Sequence, residues 1–219
     1  MSNQPPIEVP QGAIRLNTDS QKLEFFAQDR WFEMATDISS TTTSSTRGLV
    51  AMDEQSASAA IDYHSMTTAG NAVDFGDLLD TVGAAGFFSS ATRAIRVGGV
   101  TSYPGTFTNR IDFVTIATAG DATDYGDLAS TKRRGLMSGG NATRGIVAGG
   151  ATPTYTATQT TIDFVTIDST GNTSSFGDLS SNSSLNGSSQ IGNATRGIFG
   201  PIGSNSGSLQ NRIDFLYTP

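Results

Sequence analysis

Three short landmarks recur along this chain in one fixed order. Thr-Arg occurs at Thr46-Arg47, Thr92-Arg93, Thr143-Arg144 and Thr195-Arg196. Ile-Asp followed by an aromatic occurs at Ile61-Asp62-Tyr63, Ile111-Asp112-Phe113, Ile162-Asp163-Phe164 and Ile213-Asp214-Phe215. Aromatic-Gly-Asp-Leu occurs at 75–78, 125–128 and 176–179. The Ile-Asp copies are 50, 51 and 51 residues apart. A unit of this size cannot bury its apolar face alone, so consecutive copies must stack to make a core.

Composition decides what each unit is made of. The 219 residues include 26 Ser, 29 Thr and 25 Gly. Gly and β-branched Thr lose conformational freedom in a helix, and Ser competes for its backbone hydrogen bonds. Short strands joined by turns suit the same residues. Disorder is excluded by 12 Phe, 5 Tyr and regular apolar runs. The fold class is therefore all-β. Each unit reads as four β-segments, typified by 135–142, by 145–148 ending at Gly149-Gly150, by 162–167 after a variable loop, and by 176–179. The diglycine ends its strand and lets a neighbouring backbone come close. Four strands per unit, a period near fifty and paired glycines after a strand fit a kelch-like β-propeller of about four blades.

The ends differ from the middle. The fourth unit has its Thr-Arg and Ile-Asp segments and no fourth strand after them, and in the first unit 38–45 is nearly pure Ser/Thr. Residues 12–34 have another composition, with strands predicted at 13–16, 22–26 and 30–34 and the sole tryptophan, Trp31. The reading is a short N-terminal β segment for attachment, 1–37, and a repeat propeller, 38–219. Two layouts compete. In the preferred one the N-terminal segment supplies the missing outer strand of the last blade, which removes a sticky sheet edge. In the other it is a separate module beside an open or oligomer-completed array.

Thirteen basic and 20 acidic residues give a net charge of −7. Phosphate backbones call for a basic footprint, so nucleic acid is not an expected partner. No apolar run is long enough for a membrane span, and 1–12 lacks the regions of a signal peptide. Without cysteine there is no thiolate metal site or cysteine nucleophile, and His64 is the single histidine. No catalytic residue, metal site or cofactor is assigned. The repeated Arg47, Arg93, Arg144 and Arg196 are expected to pair with Asp62, Asp112, Asp163 and Asp214, one register-fixing ion pair per unit. Asn71, Asp74 and Asp77, with Asp121, Asp124 and Asp127, have the oxygen spacing of a calcium turn; side-chain capping of the turn explains them without a metal. Tyr103, Phe107 and Tyr155 lie on the variable loops and are the candidate ligand-binding residues, against the alternative that they pack on the adjacent blade. Ile14, Leu16, Leu23, Phe25 and Trp31 carry the apolar surface of an N-terminal segment too short for its own core, and are the candidate attachment residues.

Two stretches resemble a known class. The run from Gly12 to Phe26, GAIRLNTDSQKLEFF, followed by Arg30-Trp31, resembles a short β module of phage tail fibres and other virion proteins. It departs from that pattern at the turn, where Gln28-Asp29-Arg30 replaces the usual glycine. The units at 111–119, 120–128 and 141–150 are similar to kelch-like repeats in structural proteins of marine tailed phages, cyanophages above all. The resemblance implies a non-enzymatic virion protein present in several copies, a tail-fibre or adhesin component. Its partners would be other tail or capsid proteins and a host surface glycan or receptor. A decoration protein of capsid or tail with the same fold is the alternative; a glycan-active enzyme is a third reading.

Overall fold

The computed structural model describes residues 9–18, 22–34, 46–51, 58–102, 106–129, 134–152, 159–183, 189–193, 195–200 and 213–217, and among these there is no helix. The chain divides into two compact units, Met1–Ser39 and Ser40–Pro219.

The first unit is an antiparallel sheet of β1 (Ile14–Asn17), β2 (Lys22–Ala27) and β3 (Arg30–Glu33). Strands β2 and β3 are joined by Gln28 and Asp29, with φ of 49° and 59°, between the paired residues Ala27 and Arg30. Two left-handed residues in a two-residue loop match the twist of the flanking strands, the geometry that glycine usually supplies. Here the Gln11 side chain holds the turn instead, accepting the Gln28 amide at 3.0 Å and donating to the Asp29 carboxylate at 3.2 Å. Because short loops close at little entropic cost, these strands pair with one another.

The second unit holds four repeat sheets in chain order. The first contains β4 (Arg47–Ala51), β5 (Ser58–Ser65) and β6 (Val73–Val82). The second contains β7 (Gly86–Ser89), β8 (Arg93–Val97), β11 (Arg110–Thr115) and β12 (Thr123–Asp127), with the hairpin β9 (Val100–Ser102) and β10 (Thr106–Phe107) inserted after β8. The third contains β13 (Met137–Gly140), β14 (Arg144–Ala148), β15 (Gln159–Thr166) and β16 (Ser174–Ser183). The fourth contains β17 (Ser189–Gly192), β18 (Arg196–Gly200) and β19 (Asp214–Tyr217). Every Thr-Arg strand pairs antiparallel with its Ile-Asp strand, as the landmarks predict; Ile111 lies opposite Val97 and Val114 opposite Ala94. None of the four sheets is closed on itself, and the core lies between them. Ile61, Phe75 and Val114 fill the space between the first and second sheets. Ile95, Tyr125 and Val147 fill that between the second and third, and Ile146, Leu179 and Phe199 that between the third and fourth.

The register overturns the expected Arg–Asp pairs. Arg93 lies opposite Thr115, three residues from Asp112, and the same offset recurs at Arg144 with Thr166, Arg47 with Ser65 and Arg196 with Tyr217. An odd offset in a strand places two side chains on opposite faces. The arginines instead lie over the aromatic rings of their own sheets, Arg47 over Tyr63 at 4.9 Å, Arg93 over Phe113 at 4.5 Å, Arg144 over Phe164 at 5.0 Å and Arg196 over Phe215 at 5.4 Å. From there Arg47 donates to the Ile116 carbonyl and Arg93 to that of Ile167, each at 3.0 Å and each in the next repeat. The aspartates join sheets from the other face: Asp112 accepts the Leu79 amide at 3.0 Å and Asp214 the Ser180 amide at 2.7 Å.

Candidate functional site

The most distinctive surface is the N-terminal sheet, whose two faces differ in kind. Pairing of Ile14 with Phe25, Leu16 with Leu23 and Phe25 with Phe32 puts these side chains on one face. Ile14 is 64% exposed and Leu16 59%, and Leu23, Phe25 and Met34 are exposed beside them. Phe25 and Phe32 stack with their ring centres 5.5 Å apart.

The opposite face is polar and internally satisfied. Glu24, buried, accepts from Arg15 Nε at 2.7 Å and from Asn17 Nδ2 at 2.9 Å. Those two hydrogen bonds, that from Asn17 first, hold its carboxyl below the ordinary glutamate range. The Arg15 guanidinium lies 4.0 Å from the ring centre of Trp31, and Lys22 pairs with Glu33 at 2.7 Å. Trp31 pairs with Phe26 and so sits on this polar side. Of the five attachment candidates, four share the apolar face and Trp31 does not. Pairing parity across the two-residue turn decides this, and hydrophobicity alone carries no sign of it.

The variable loops are placed only in part. Tyr103 and Tyr155 lie outside the described residues. Phe107 is 3% exposed, packed at the end of the β9–β10 hairpin, and presents no ring to solvent. The turn residues of the calcium-like pattern act as capping groups between sheets: Asp121 accepts the amide of Asp77, and Asn172 that of Asp127, each at 3.0 Å. His64 packs against Gly48, where an added Cβ would lie 2.7 Å from the imidazole.

One charged cluster is centred on an arginine that the other repeats do not carry at the same position. Arg96, 1% exposed, pairs through Nε with Asp112 at 2.5 Å and donates from Nη1 to the carbonyls of Gly98 and Arg110. Asp80 completes it, 2.9 Å from Arg110 and 3.7 Å from Arg96. Val50, Val147 and Phe199 occupy the position of Arg96 in the other units. Repeat reasoning passes over such a residue because it leaves no periodic trace. Through Arg96 Nη1 the cluster clamps the backbone beside the Gly98-Gly99 bend.

A cavity of about 610 Å³ lies beside β4, lined by Leu49, Ile61, Leu78, Phe88 and Val114 among others. Residues 40–43, which precede that strand, lie outside the described residues.

No protein-family model and no curated protein matches this chain by sequence. A solved structure described as "Structure of YjhT" is similar in fold, with a TM-score of 0.52 and 12% identity over 72% of this chain. The match spans about half, 52%, of that structure's chain. At this identity the likeness concerns the fold alone.

Proposed function

We propose that the chain is a structural protein of a tailed-phage virion, a tail-fibre or adhesin component. In this reading the repeat sheets are blades of a kelch-like propeller of about four blades. The N-terminal sheet anchors the chain to other tail or capsid proteins. The observation that carries the reading is the apolar face of Ile14, Leu16, Leu23 and Phe25, exposed on a sheet whose other face is closed by its own ion pairs. A contiguous apolar face of this kind marks a binding surface. Full burial of such side chains stabilises a complex by roughly 1.5–3 kcal/mol each before entropy is counted. Several copies acting together raise the avidity further. The resemblance of 12–31 to a virion β module and the stacked repeat scaffold both support the assignment.

A decoration protein with the same anchor is the second reading, and the burial of Phe107 favours it by removing one of three loop aromatics from the candidate receptor surface. Deleting 1–37 tests the anchor. Particles assembled with the truncated chain should lack it, whereas normal copy number in those particles refutes the attachment role. A glycan array then separates the two readings, since an adhesin retains specific glycans through the loops of Tyr103 and Tyr155 and a decoration protein retains none.

A further inference from the structure

Pairing parity sorts the charges of the N-terminal sheet onto one face, with a single exception. Side chains alternate along a strand, and directly paired residues share a face. The pairs Ile14 with Phe25, Leu16 with Leu23 and Phe25 with Phe32 define the apolar face, and Arg30, paired with Ala27, lies on it too. Arg15, Lys22, Glu24 and Glu33 fall on the other face, where Arg15 pairs with Glu24 and Lys22 with Glu33. Arg30 is the charge left over. It is exposed, its guanidinium lies 4.6 Å from the ring centre of Phe32, and it forms no ion pair among the described residues.

The patch around it has a definite size. Taken over about 150–200 Å² for each side chain, the exposed fractions of Ile14, Leu16, Leu23 and Phe25 leave roughly 300–400 Å² of apolar surface. A standard interface covers about 800 Å² on each partner, a little over half of it apolar. With Phe32 beside it, the patch is the apolar part of one such interface. Charge then decides the occupant. A second copy laid face to face brings no carboxylate on that face among the described residues, so Arg30 would be covered by another Arg30 or by an apolar side chain. Burying a cation without a partner is costly. An anionic lipid surface attracts clusters of Lys and Arg; this face offers one cation, on a chain of net charge −7.

We propose that the apolar face receives a folded protein other than this chain, whose docking surface is itself apolar and carries an Asp or Glu that pairs with Arg30. The planar guanidinium takes a carboxylate in bidentate contact, and stacking on Phe32 holds it in place beside the turn. The apolar side chains supply the affinity, and Arg30 selects the partner. The inference rests on the anchoring role proposed above and names the chemistry of what the anchor meets.

The test compares copy number in purified particles for the full chain, for Arg30→Lys, for Arg30→Glu and for the variant with serine in place of Ile14, Leu16, Leu23 and Phe25. Arg30→Glu should fall at least tenfold and Arg30→Lys less than threefold, with folding checked by near-UV circular dichroism. If Arg30→Glu does not fold, Arg30→Gln takes its place, again with at least a tenfold loss. Selection for phage that regain Arg30→Glu should return Lys or Arg in place of an Asp or Glu of another virion protein; selection that never returns such an exchange overturns the proposal. Normal copy number of Arg30→Glu beside exclusion of the serine variant overturns the acidic partner and leaves the anchor standing. Normal copy number of the serine variant, or absence of the unaltered chain, refutes the anchoring reading itself. Dimerisation in sedimentation that the serine substitutions abolish, or flotation of the chain with phosphatidylglycerol vesicles, would overturn the choice of another protein as occupant.

Discussion

Replacing Gly126 and Gly177 by alanine, one at a time, isolates what stacking of the repeat sheets is worth. Both glycines have a backbone that L-residues adopt poorly, with φ of 146° and 154°. Each substitution therefore carries a comparable strain of about 1–3 kcal/mol. Their surroundings differ. At Gly126 the new Cβ would lie 2.5 Å from the Gly171 oxygen, whereas at Gly177 it meets nothing among the described residues. Gly126→Ala must push the next repeat's turn away. It then loosens the bonds from Gly171 to Tyr125, from Thr173 to Asp127 and from the Asp127 amide to Asn172. At about 0.5–1.5 kcal/mol each, these three amount to roughly 1.5–4.5 kcal/mol beyond the strain. For a chain of this size about 1 kcal/mol moves the melting temperature by roughly 2–4 °C. Gly126→Ala should then melt roughly 3–18 °C below Gly177→Ala in a thermal scan followed by near-UV circular dichroism. Equal melting of the two variants would refute the claim that the Gly171–Thr173 turn couples the second and third sheets.

Further outcomes follow from the same contacts. Arg96→Ala should destabilise by about 3–5 kcal/mol, because it strands the fully buried Asp112 without its cation; adding Asp112→Asn should recover part of that loss in the same melt. Gln28→Gly should stabilise the N-terminal sheet by about 1 kcal/mol, since glycine accepts the left-handed conformation that Gln28 adopts and keeps the backbone amide that Gln11 holds, and the fluorescence of Trp31 reports it. Glu24 has its carboxyl held down in the folded sheet. Its contribution is complete above the ordinary glutamate value of 4.5 and is lost as pH falls through the lower folded-state value. Acid titration of Trp31 fluorescence should show that step, and Glu24→Gln should remove it. Tyr125 is shifted the other way by burial, its hydroxyl held on the Thr166 carbonyl. The stability it contributes is present below the ordinary tyrosine value of 10.0 and declines as pH rises above it, so Tyr125→Phe should flatten the alkaline limb of a pH-melting curve.

The strands and their pairing were legible because three landmarks return at a fixed spacing. Once Thr92-Arg93 and Ile111-Asp112 are seen as neighbours in one unit, antiparallel pairing of their strands is the short connection. Register was the missing information. Arg93 and Asp112 invite an ion pair by charge, yet an odd offset of three residues puts them on opposite faces, so one stacks on Phe113 and the other caps Leu79. The face that Trp31 takes is fixed in the same way, since the two-residue turn sets its parity with Phe26. Arg96 leaves no trace in the repeat because it occurs in one unit only, and Phe107 stays open between binding and packing because a loop aromatic reads the same whether it faces solvent or fills the β9–β10 hairpin. The conformation shared by Gly76, Gly126 and Gly177 is written in the repeated aromatic-Gly-Asp. That the turns at Gly120–Ala122 and Gly171–Thr173 seat on Gly76 and Gly126 becomes visible only when the sheets are stacked.

The central claim is that this chain is a virion component held by its N-terminal sheet, and quantifying it in purified phage particles tests this most directly. Peptide counting by mass spectrometry on density-purified virions should find the full chain at a fixed stoichiometry of several copies per particle. Replacing Ile14, Leu16, Leu23 and Phe25 by serine should remove it from particles while the chain itself remains folded. Absence of the unaltered chain from purified virions, or undiminished incorporation of the serine variant, would contradict the account.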